Sequence, residues 1–581
     1  MNITFLGQAG LFVETRHGTI LCDPFFNPAF FASWFPFPSN DGIDRRAIGN
    51  PDYLFISHLH RDHFDATFLR DHVSKDATVI LPDFAIDTLE NELRKLGFHD
   101  FVRTKSGDPF DMGKLRMMVL SMATPADGPL GDSALCIDDG ETKVLNQNDS
   151  RPIDFDALHA FGPYDVHLLQ FSGAIWYPMV YRYSEKEMRE VGKKKRDNEM
   201  ARAVRYIEQI KATYVIPSAG PAAFLDDELF HLNDFDRDPS NTFPDQATFV
   251  DYMRDKGHES GRVMIPGSVM KLGRSVRDAR DAAGADGACE VTHPISAGEL
   301  HDIFHDKRRY LEGYKARKQP LIDAIKATWP RGKVDILASL RAWFEPLLAL
   351  GDLTCVGVNS RVLIDCGEGQ LDGRVVIDFQ KRRVYAFAGE ECDYAFFVDR
   401  SLVEYCILHH EEDWVNTLFL SCRFEAQRKG PFNEYVYGFF KTLSPARLAV
   451  AEAYYAEKAP AQQQLMELDG HVVQRRCPHL KVDLAKFGHV ENGVLTCSLH
   501  GWQFEVASGR CLTSDGYRLY SRAIDPMEKG RRRRGLEVYD PAPGESPSVP
   551  AIPAMEEAIA EAPCSEVKLV VPKKKRLRKS A

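Results

Sequence analysis

The sequence predicts a multidomain chain of mixed class: an N-terminal α/β domain built as an αββα sandwich, a helical and α+β middle, and an all-β C-terminal domain. Three observations predict it. An apolar run, Tyr53-Leu54-Phe55-Ile56, ends in the polar loop Ser57-His58-Leu59-His60-Arg61-Asp62-His63-Phe64-Asp65. Strand and helix patterns then alternate as far as Ile216, which implies layered strands with a site at their ends. Near the C-terminus, two short Cys/His loops flank a hairpin signal at Glu491-Asn492-Gly493.

At 581 residues the chain exceeds what one core can organise. Hydrophobic residues at 44% and charged residues at 27% describe a globular protein. The formal net charge of −11 argues against a nucleic-acid partner, because neutralising phosphates requires a basic face. The sequence contains no apolar run of membrane-spanning length and no leader pattern, and it predicts a cytoplasmic protein without a membrane partner. The expected boundaries are 1–273 for the metal-binding catalytic domain, 274–350 for a linker and helical segment and 351–445 for a small α+β module. The C-terminal all-β domain takes 446–541, and 542–581 forms a disordered tail with a basic end.

The loop after Ile56 is a candidate metal cradle. Strand-like residues at i and i+2 share a face, so His58 and His60 lie together, and Asp62 and His63 can fold back towards them. Imidazole and carboxylate ligands admit zinc, iron or manganese. The strand Lys143-Val144-Leu145-Asn146 ends in Gln147-Asn148-Asp149-Ser150, where Asp149 is either a further ligand or a helix N-cap. Strands at Ala77-Leu81, Leu115-Ser121, Ala134-Ile137, Val166-Phe171 and Thr213-Ile216 and helices at Ile86-Leu96 and Glu185-Lys211 complete the domain. Gly298 to Leu350 reads as helices broken at Pro320 and Pro330. Val356-Asp365 and Arg374-Asp378 read as strands. His231 and the pair His301/His305 read as surface histidines.

The spacing His-x-His-x-Asp-His, preceded by MNITFLGQAGLFVETRHGTILCDPFF, resembles the metallo-β-lactamase superfamily. The resemblance implies that His58, His60, Asp62, His63 and Asp149 hold metal, with Asp62, His63 and Asp149 as the catalytic candidates. The sequence departs from the hydrolases of that superfamily in having no histidine between Ser121 and Asp132 and none near Ser218-Ala219. The depleted set, two or more His with a carboxylate, matches a non-haem Fe(II) centre that activates oxygen.

Cys477-Pro478-His479 and Cys497-Ser498-Leu499-His500 give the pattern C-x-H-x17-C-x-x-H, followed by Gly501-Trp502. This resembles the Rieske family, in which two Cys and two His hold a [2Fe-2S] cluster. A zinc site would use the same ligand types. Val482 and Leu499 stand where respiratory Rieske proteins carry a disulfide, so the resemblance implies the lower-potential, oxygenase-associated kind. Residues 351–443 resemble the small domains of sterol carriers.

The combination resembles the CMP-N-acetylneuraminate hydroxylases, with the module order reversed. It implies an iron-dependent monooxygenase in which the cluster supplies electrons to mononuclear or dinuclear non-haem iron, with zinc as the alternative metal. The partners implied are an external reductase or ferredoxin, O2 and a small polar substrate held near Trp176, Tyr177 and Tyr181. Homo-oligomers are compatible with this arrangement. Two other classes stay open: a zinc-dependent hydrolase with a redox-sensing Rieske domain, and an electron-transfer protein with a vestigial metal site.

Overall fold

The strands of the N-terminal half are β1 (Asn2–Gly7), β2 (Gly10–Thr15), β3 (Gly18–Cys22), β4 (Tyr53–Phe55), β5 (Thr78–Leu81), β6 (Phe101–Arg103), β7 (Phe110–Met112), β8 (Leu115–Thr124), β9 (Gly128–Asp138), β10 (Lys143–Asn148), β11 (Val166–Gln170), β12 (Tyr214–Ser218), β13 (Val269–Leu272) and β14 (Cys289–Thr292). In this computed structural model they form two sheets, ordered β14-β13-β1-β2-β3-β4-β5-β6 and β12-β11-β10-β9-β8-β7. The structure describes residues 1–124, 128–172, 175–273, 289–367, 373–456, 464–499, 501–514 and 516–524.

The facing surfaces of the two sheets share one apolar layer, in which Ile3, Phe5, Val13 and Ile20 meet Met117, Val119, Leu135 and Ile137. Outer layers of helix cover each sheet. Phe68, Leu69, Leu89 and Leu93 lie against the first, and Phe155, Leu158, Met200, Ala203 and Ile207 against the second. Alternate residues of a strand face opposite ways, so two-sided burial explains the near-continuous apolar runs Val144-Leu145 and Val166 to Leu169. This is the expected αββα sandwich. Its metal loop leaves β4, and Asp149 follows β10.

Three expectations are corrected. Cys289–Thr292, read as linker, is the edge strand β14, paired with β13 from Cys289↔Leu272 to Thr292↔Val269. The helix Lys307–Ala327 runs through Pro320, because a proline removes only one donor and the flanking turns keep the helix packed at Leu311, Tyr314 and Ile322. The stretch read as strand from Val356 begins as the helix Asp352–Val358, closed by Asn359 at φ 43°, and the strand itself is β15, Arg361–Asp365. His231 and the stacked rings of His301 and His305 are exposed on the surface, as expected.

The middle domain pairs β15 with β16 (Arg374–Asp378), β17 (Arg383–Ala386), β18 (Tyr394–Val398) and β19 (Phe424–Arg428), in the order β17-β16-β15-β18-β19. The helices Ile336–Leu350 and Glu434–Lys441 complete its aromatic core with Phe344, Tyr437, Phe439 and Phe440.

The C-terminal domain has two small sheets. One joins β20 (Leu465–Leu468), β21 (His471–Gln474) and β25 (Ser521–Ala523), and the other joins β22 (Gly488–Glu491), β23 (Val494–Cys497) and β24 (Trp502–Glu505). The β22–β23 turn places Asn492 and Gly493 at φ 53° and 75°, the pair of left-handed residues that a tight hairpin requires. Phe487 of this domain packs on Phe155 at 5.0 Å, and Phe155 stacks on Tyr206 at 5.7 Å. No described helix is long and apolar enough to cross a membrane. The predicted tail 542–581 lies outside the described residues.

Candidate metal and iron–sulfur centres

The loop after β4 folds back on itself because the amides of His63 and Phe64 both donate to the His60 carbonyl, at 2.9 and 2.8 Å. His58, His60 and Asp149 then each present a ligand atom, and these atoms lie within 4.8 Å of one another. His63 joins them, with Nε2 3.3 Å from Asp149 Oδ1 and 3.6 Å from Asp62 Oδ2.

Residues behind the histidines fix their orientation. His58 Nδ1 lies 3.2 Å from Asp132 Oδ1, and His63 Nδ1 lies 3.1 Å from Asp23 Oδ2. Ser57 Oγ sits between them, 2.9 Å from His58 Nδ1 and 3.2 Å from His63 Nδ1. A carboxylate on one ring nitrogen leaves the other free for a metal and makes it more basic. Accordingly His58 Nε2 is buried with no hydrogen-bond partner among the described residues, and the buried His63 Nε2 and Asp149 Oδ1 have only each other, at 3.3 Å. Buried polar atoms are rarely left unsatisfied in a native fold, so this donor set fits a divalent metal.

The electrostatics agree. Burial opposes charge on His63, yet Asp149 and Asp62 raise its pKa well above the usual imidazole value. Burial, then the neighbouring His58 and His63, push His60 well below it. Burial raises Asp62, whereas at Asp149 the burial effect is overcome by His63 and the carboxyl is held low.

Sequence reasoning missed the supporting residues Gln8, Asp23, Ser57 and Asp132. Gln8 Nε2 donates to Asp62 Oδ2 at 2.9 Å. The signals were present: Asp23 precedes a proline, and Asp132 occupies the segment where a third histidine was expected. Asp65, the last carboxylate of the loop, is structural. It caps the helix Ala66–His72 and accepts from the amides of Phe26 and Asn27.

Of the residues nominated for substrate, Trp176 and Tyr181 are buried between domains. Trp176 packs on Tyr437, Phe419 and Phe424 with ring centroids 4.9, 5.7 and 6.1 Å apart. The hydroxyl of Tyr181 meets that of Tyr437. Tyr177 is half-buried beneath the Arg428 guanidinium. The neighbouring Gly173 and Ala174 lie outside the described residues. These side chains join the N-terminal and middle domains instead of lining an open cleft. The middle domain also reaches the metal loop itself: Asn416 hydrogen-bonds His60, and Glu411 pairs with Arg61 at 2.6 Å. Arg61 lines a cleft of about 190 Å³ with Phe31, Trp329, Tyr405 and Thr417.

In the C-terminal domain, Cys477 and Cys497 are fully buried and their thiols hydrogen-bond each other. The Cys477 loop closes through Lys481 N to Cys477 O at 2.9 Å, and the Cys497 loop through Gly501 N to Cys497 O at 2.7 Å. Burial, then the adjacent Cys497, push the Cys477 thiol well above its usual range. His479 stacks on Trp502 at 4.0 Å and places Nε2 3.3 Å from Glu434 Oε1 of the middle domain. His500 lies outside the described residues. Two convergent buried thiols with an adjacent imidazole fit a cluster bound by Cys and His.

Comparison with known proteins agrees with this geometry. Residues 336–457 match the model of the "Rv3818-like, SCP2-like domain", and residues 459–518 match that of the "Rieske [2Fe-2S] domain". The second match takes in Cys477, His479, Cys497 and His500. Loop, cysteine pair and family model together define an iron–sulfur protein of the Rieske class. A Mycobacterium tuberculosis protein named "Putative Rieske 2Fe-2S iron-sulfur protein Rv3818" is 47% identical over 530 residues, covering 90% of this chain and 99% of that protein. The chain belongs to this family of Rieske iron–sulfur proteins.

Among solved structures, an isothiocyanate hydrolase from Delia radicum gut bacteria is similar at 15% identity and a TM-score of 0.33, covering 47% of this chain and 100% of its own. CmlA, a diiron β-hydroxylase from Streptomyces venezuelae, is similar at 20% identity and a TM-score of 0.31, covering 46% and 53%.

Proposed function

We propose that this protein is a Rieske-dependent oxygenase. In this reading an external reductase or ferredoxin supplies electrons through the C-terminal [2Fe-2S] centre to non-haem iron in the N-terminal domain, and O2 is used to oxidise, by hydroxylation, a small polar substrate. The observation that carries it is the convergence of His58, His60 and Asp149, whose ligand atoms lie within 4.8 Å of one another beside His63 and the partnerless, buried His58 Nε2, in a chain that also carries a Rieske domain.

His58, His60, His63 and Asp149, with Asp62 beside them, would hold the iron. Iron held by imidazoles and carboxylates with an open position supplies oxygen activation. The rest falls to the chain. Asp132, Asp23 and Ser57 keep the imidazoles in one tautomer and one orientation. Gln8 holds Asp62 in place. The middle domain covers the loop through Asn416 and Glu411, which limits the access of water. Its helix Glu434–Lys441 touches His479 at one end and brings Lys441 into the field of His60 at the other. At ~1.5 Å per residue, a helix of this length spans roughly 10 Å.

Metal analysis with EPR on anaerobically purified protein, before and after dithionite, tests the reading. A Rieske signal together with additional iron that is lost in the His58→Ala/His60→Ala variant is the expected result. Stoichiometric zinc and no reductant requirement would favour the hydrolase. An N-terminal site that takes up no metal would leave an electron carrier.

A further inference from the structure

Three segments meet beside the metal loop and leave between them the cleft of about 190 Å³. Phe31 comes from the N-terminal domain, Trp329 from the turn that follows the helix Lys307–Ala327, and Tyr405 and Thr417 from the middle domain. Arg61 also lines it, between the proposed ligands His60 and Asp62, as does Glu411, to which Arg61 donates at 2.6 Å. A molecule that touches Arg61 is therefore within one side chain's length of the metal loop.

The backbone at the cleft is unusual in two places. Phe30, Phe31 and Ala32 all lie in the left-handed region, at φ 50°, 59° and 57°. Residues other than glycine seldom adopt it, and three in succession persist only where the surroundings impose them. Arg423 of the middle domain is the tie. It donates from Nε to the Phe31 carbonyl at 3.1 Å and from Nη2 to the Ala32 carbonyl at 3.4 Å, and it is itself paired with Asp226 at 2.8 Å. The turn buries Phe30 and Ala32 and leaves Phe31 half-buried, edge-on to Tyr405 at 5.0 Å and to Trp329 at 6.1 Å. Thr417 lies on a single turn of π-helix, Val415–Phe419, a rare form that recurs at functional sites.

The residues around the cleft suit one kind of guest. Phe31, Trp329 and Tyr405 are all half-buried, so they offer ring faces and edges to an aromatic ring. A cavity of roughly 150 Å³ holds benzene, and this one has room for a single ring with a short substituent. On the charged side, Arg61 spends one nitrogen, Nη2, on one oxygen of Glu411, and neither side chain has another hydrogen bond or ion pair among the described residues. Nε and Nη1 of Arg61 are left to receive a carboxylate, and Oε2 of Glu411 is left to accept from an ammonium. The pair is neutral as a whole, so it matches a zwitterion better than a net anion or cation.

We propose that this cleft binds an aromatic α-amino acid, its ring among Phe31, Trp329 and Tyr405 and its charged groups on Arg61 and Glu411, and that such a molecule is the substrate presented to the metal loop. As a substrate site it rests on the oxygenase reading; as a binding site it stands on the cleft. Arg423 is then a positioning residue, which sets the turn that carries Phe31.

The test is calorimetric titration of the full-length protein with L-phenylalanine, without reductant or turnover. Three further titrants each lack one feature: 3-phenylpropionate the ammonium, phenethylamine the carboxylate and L-alanine the ring. Saturable one-to-one binding of L-phenylalanine is expected, with each of the others weaker by about five-fold or more. Affinity for L-phenylalanine should fall by a similar factor in Arg61→Gln and in Tyr405→Leu. Arg61→Gln should also narrow the gap between L-phenylalanine and phenethylamine, a change that loosening of the fold would not bring. The Arg61 side chain is 49% exposed, so its replacement spares the core. Arg70→Gln, which alters an exposed arginine of the helix Ala66–His72, should leave affinity unchanged. The proposal is overturned by no saturable binding of L-phenylalanine, by a lesser titrant that binds as tightly, by native affinity in either Arg61→Gln or Tyr405→Leu, by equal loss in Arg70→Gln, or by loss in His58→Ala/His60→Ala with none in Arg61→Gln. The last would assign the amino acid to the metal alone. Because binding is read without oxygen chemistry, an absent oxygenase activity leaves this result standing, and absent binding leaves the iron measurement standing.

Discussion

Nε2 of His479 lies 3.3 Å from Oε1 of Glu434, which joins a ligand residue of the Rieske loop to a helix of the SCP2-like domain. Both groups are buried, and His479 and Trp502 hold the contact from the other side by stacking. A carboxylate beside the imidazole favours the more positive, oxidised state of a bound cluster. Glu434→Gln keeps the shape and removes the charge, so the midpoint potential should rise. A change of about 1 kcal/mol corresponds to ~40 mV for one electron. Redox titration followed by EPR gives the value, and an unchanged or lowered potential would count against the contact.

The carboxylate behind His63 predicts a metal effect without a ligand change. Asp23→Asn leaves every proposed ligand in place but removes the charge on His63 Nδ1. Affinity of the N-terminal site for iron or zinc should fall about 10–100-fold while the Rieske signal is kept. Competition with a chromophoric chelator measures it.

Trp176 is 4% exposed and packed among Tyr437, Phe419 and Phe424, so Trp176→Ala leaves a cavity at the junction of two domains. The expected loss is about 3–5 kcal/mol, read as a lower urea midpoint. If Trp176 served substrate alone, stability would hardly change.

His167 gives a pH dependence. It is fully buried on β11, donates from Nε2 to Gln147 Oε1 at 2.8 Å, and burial lowers its pKa to about 3. The unfolded chain therefore takes up this proton at higher pH than the native one. The contribution is complete above about pH 6.5, declines as pH falls and is gone below about pH 3. Stability curves for the native protein and His167→Gln should converge by a few kcal/mol on acidification, and parallel curves would show that His167 is not the group responsible.

Much of this architecture could be read in the residues because its signals are local. The metal loop, the paired Cys/His loops and the Asn492-Gly493 turn are each carried by neighbours in sequence. So are β16 and the helix from Glu185, whose Ser184 cap closes a reciprocal pair with Glu187. What the sequence concealed depends on contacts between distant segments. Nothing near Glu434 announces that it faces His479. Trp176 was expected beside the substrate, whereas the docking of the middle domain buries it.

Phe487 covers Phe155 and, through it, Tyr206. The covering residue belongs to the last-made part of the chain and the covered ones to the first. During synthesis the N-terminal domain leaves the ribosome with this aromatic face uncovered and keeps it so until nearly the whole polypeptide has emerged. Premature termination before Phe487 yields a product whose exposed rings drive aggregation, even though its own sheets are complete.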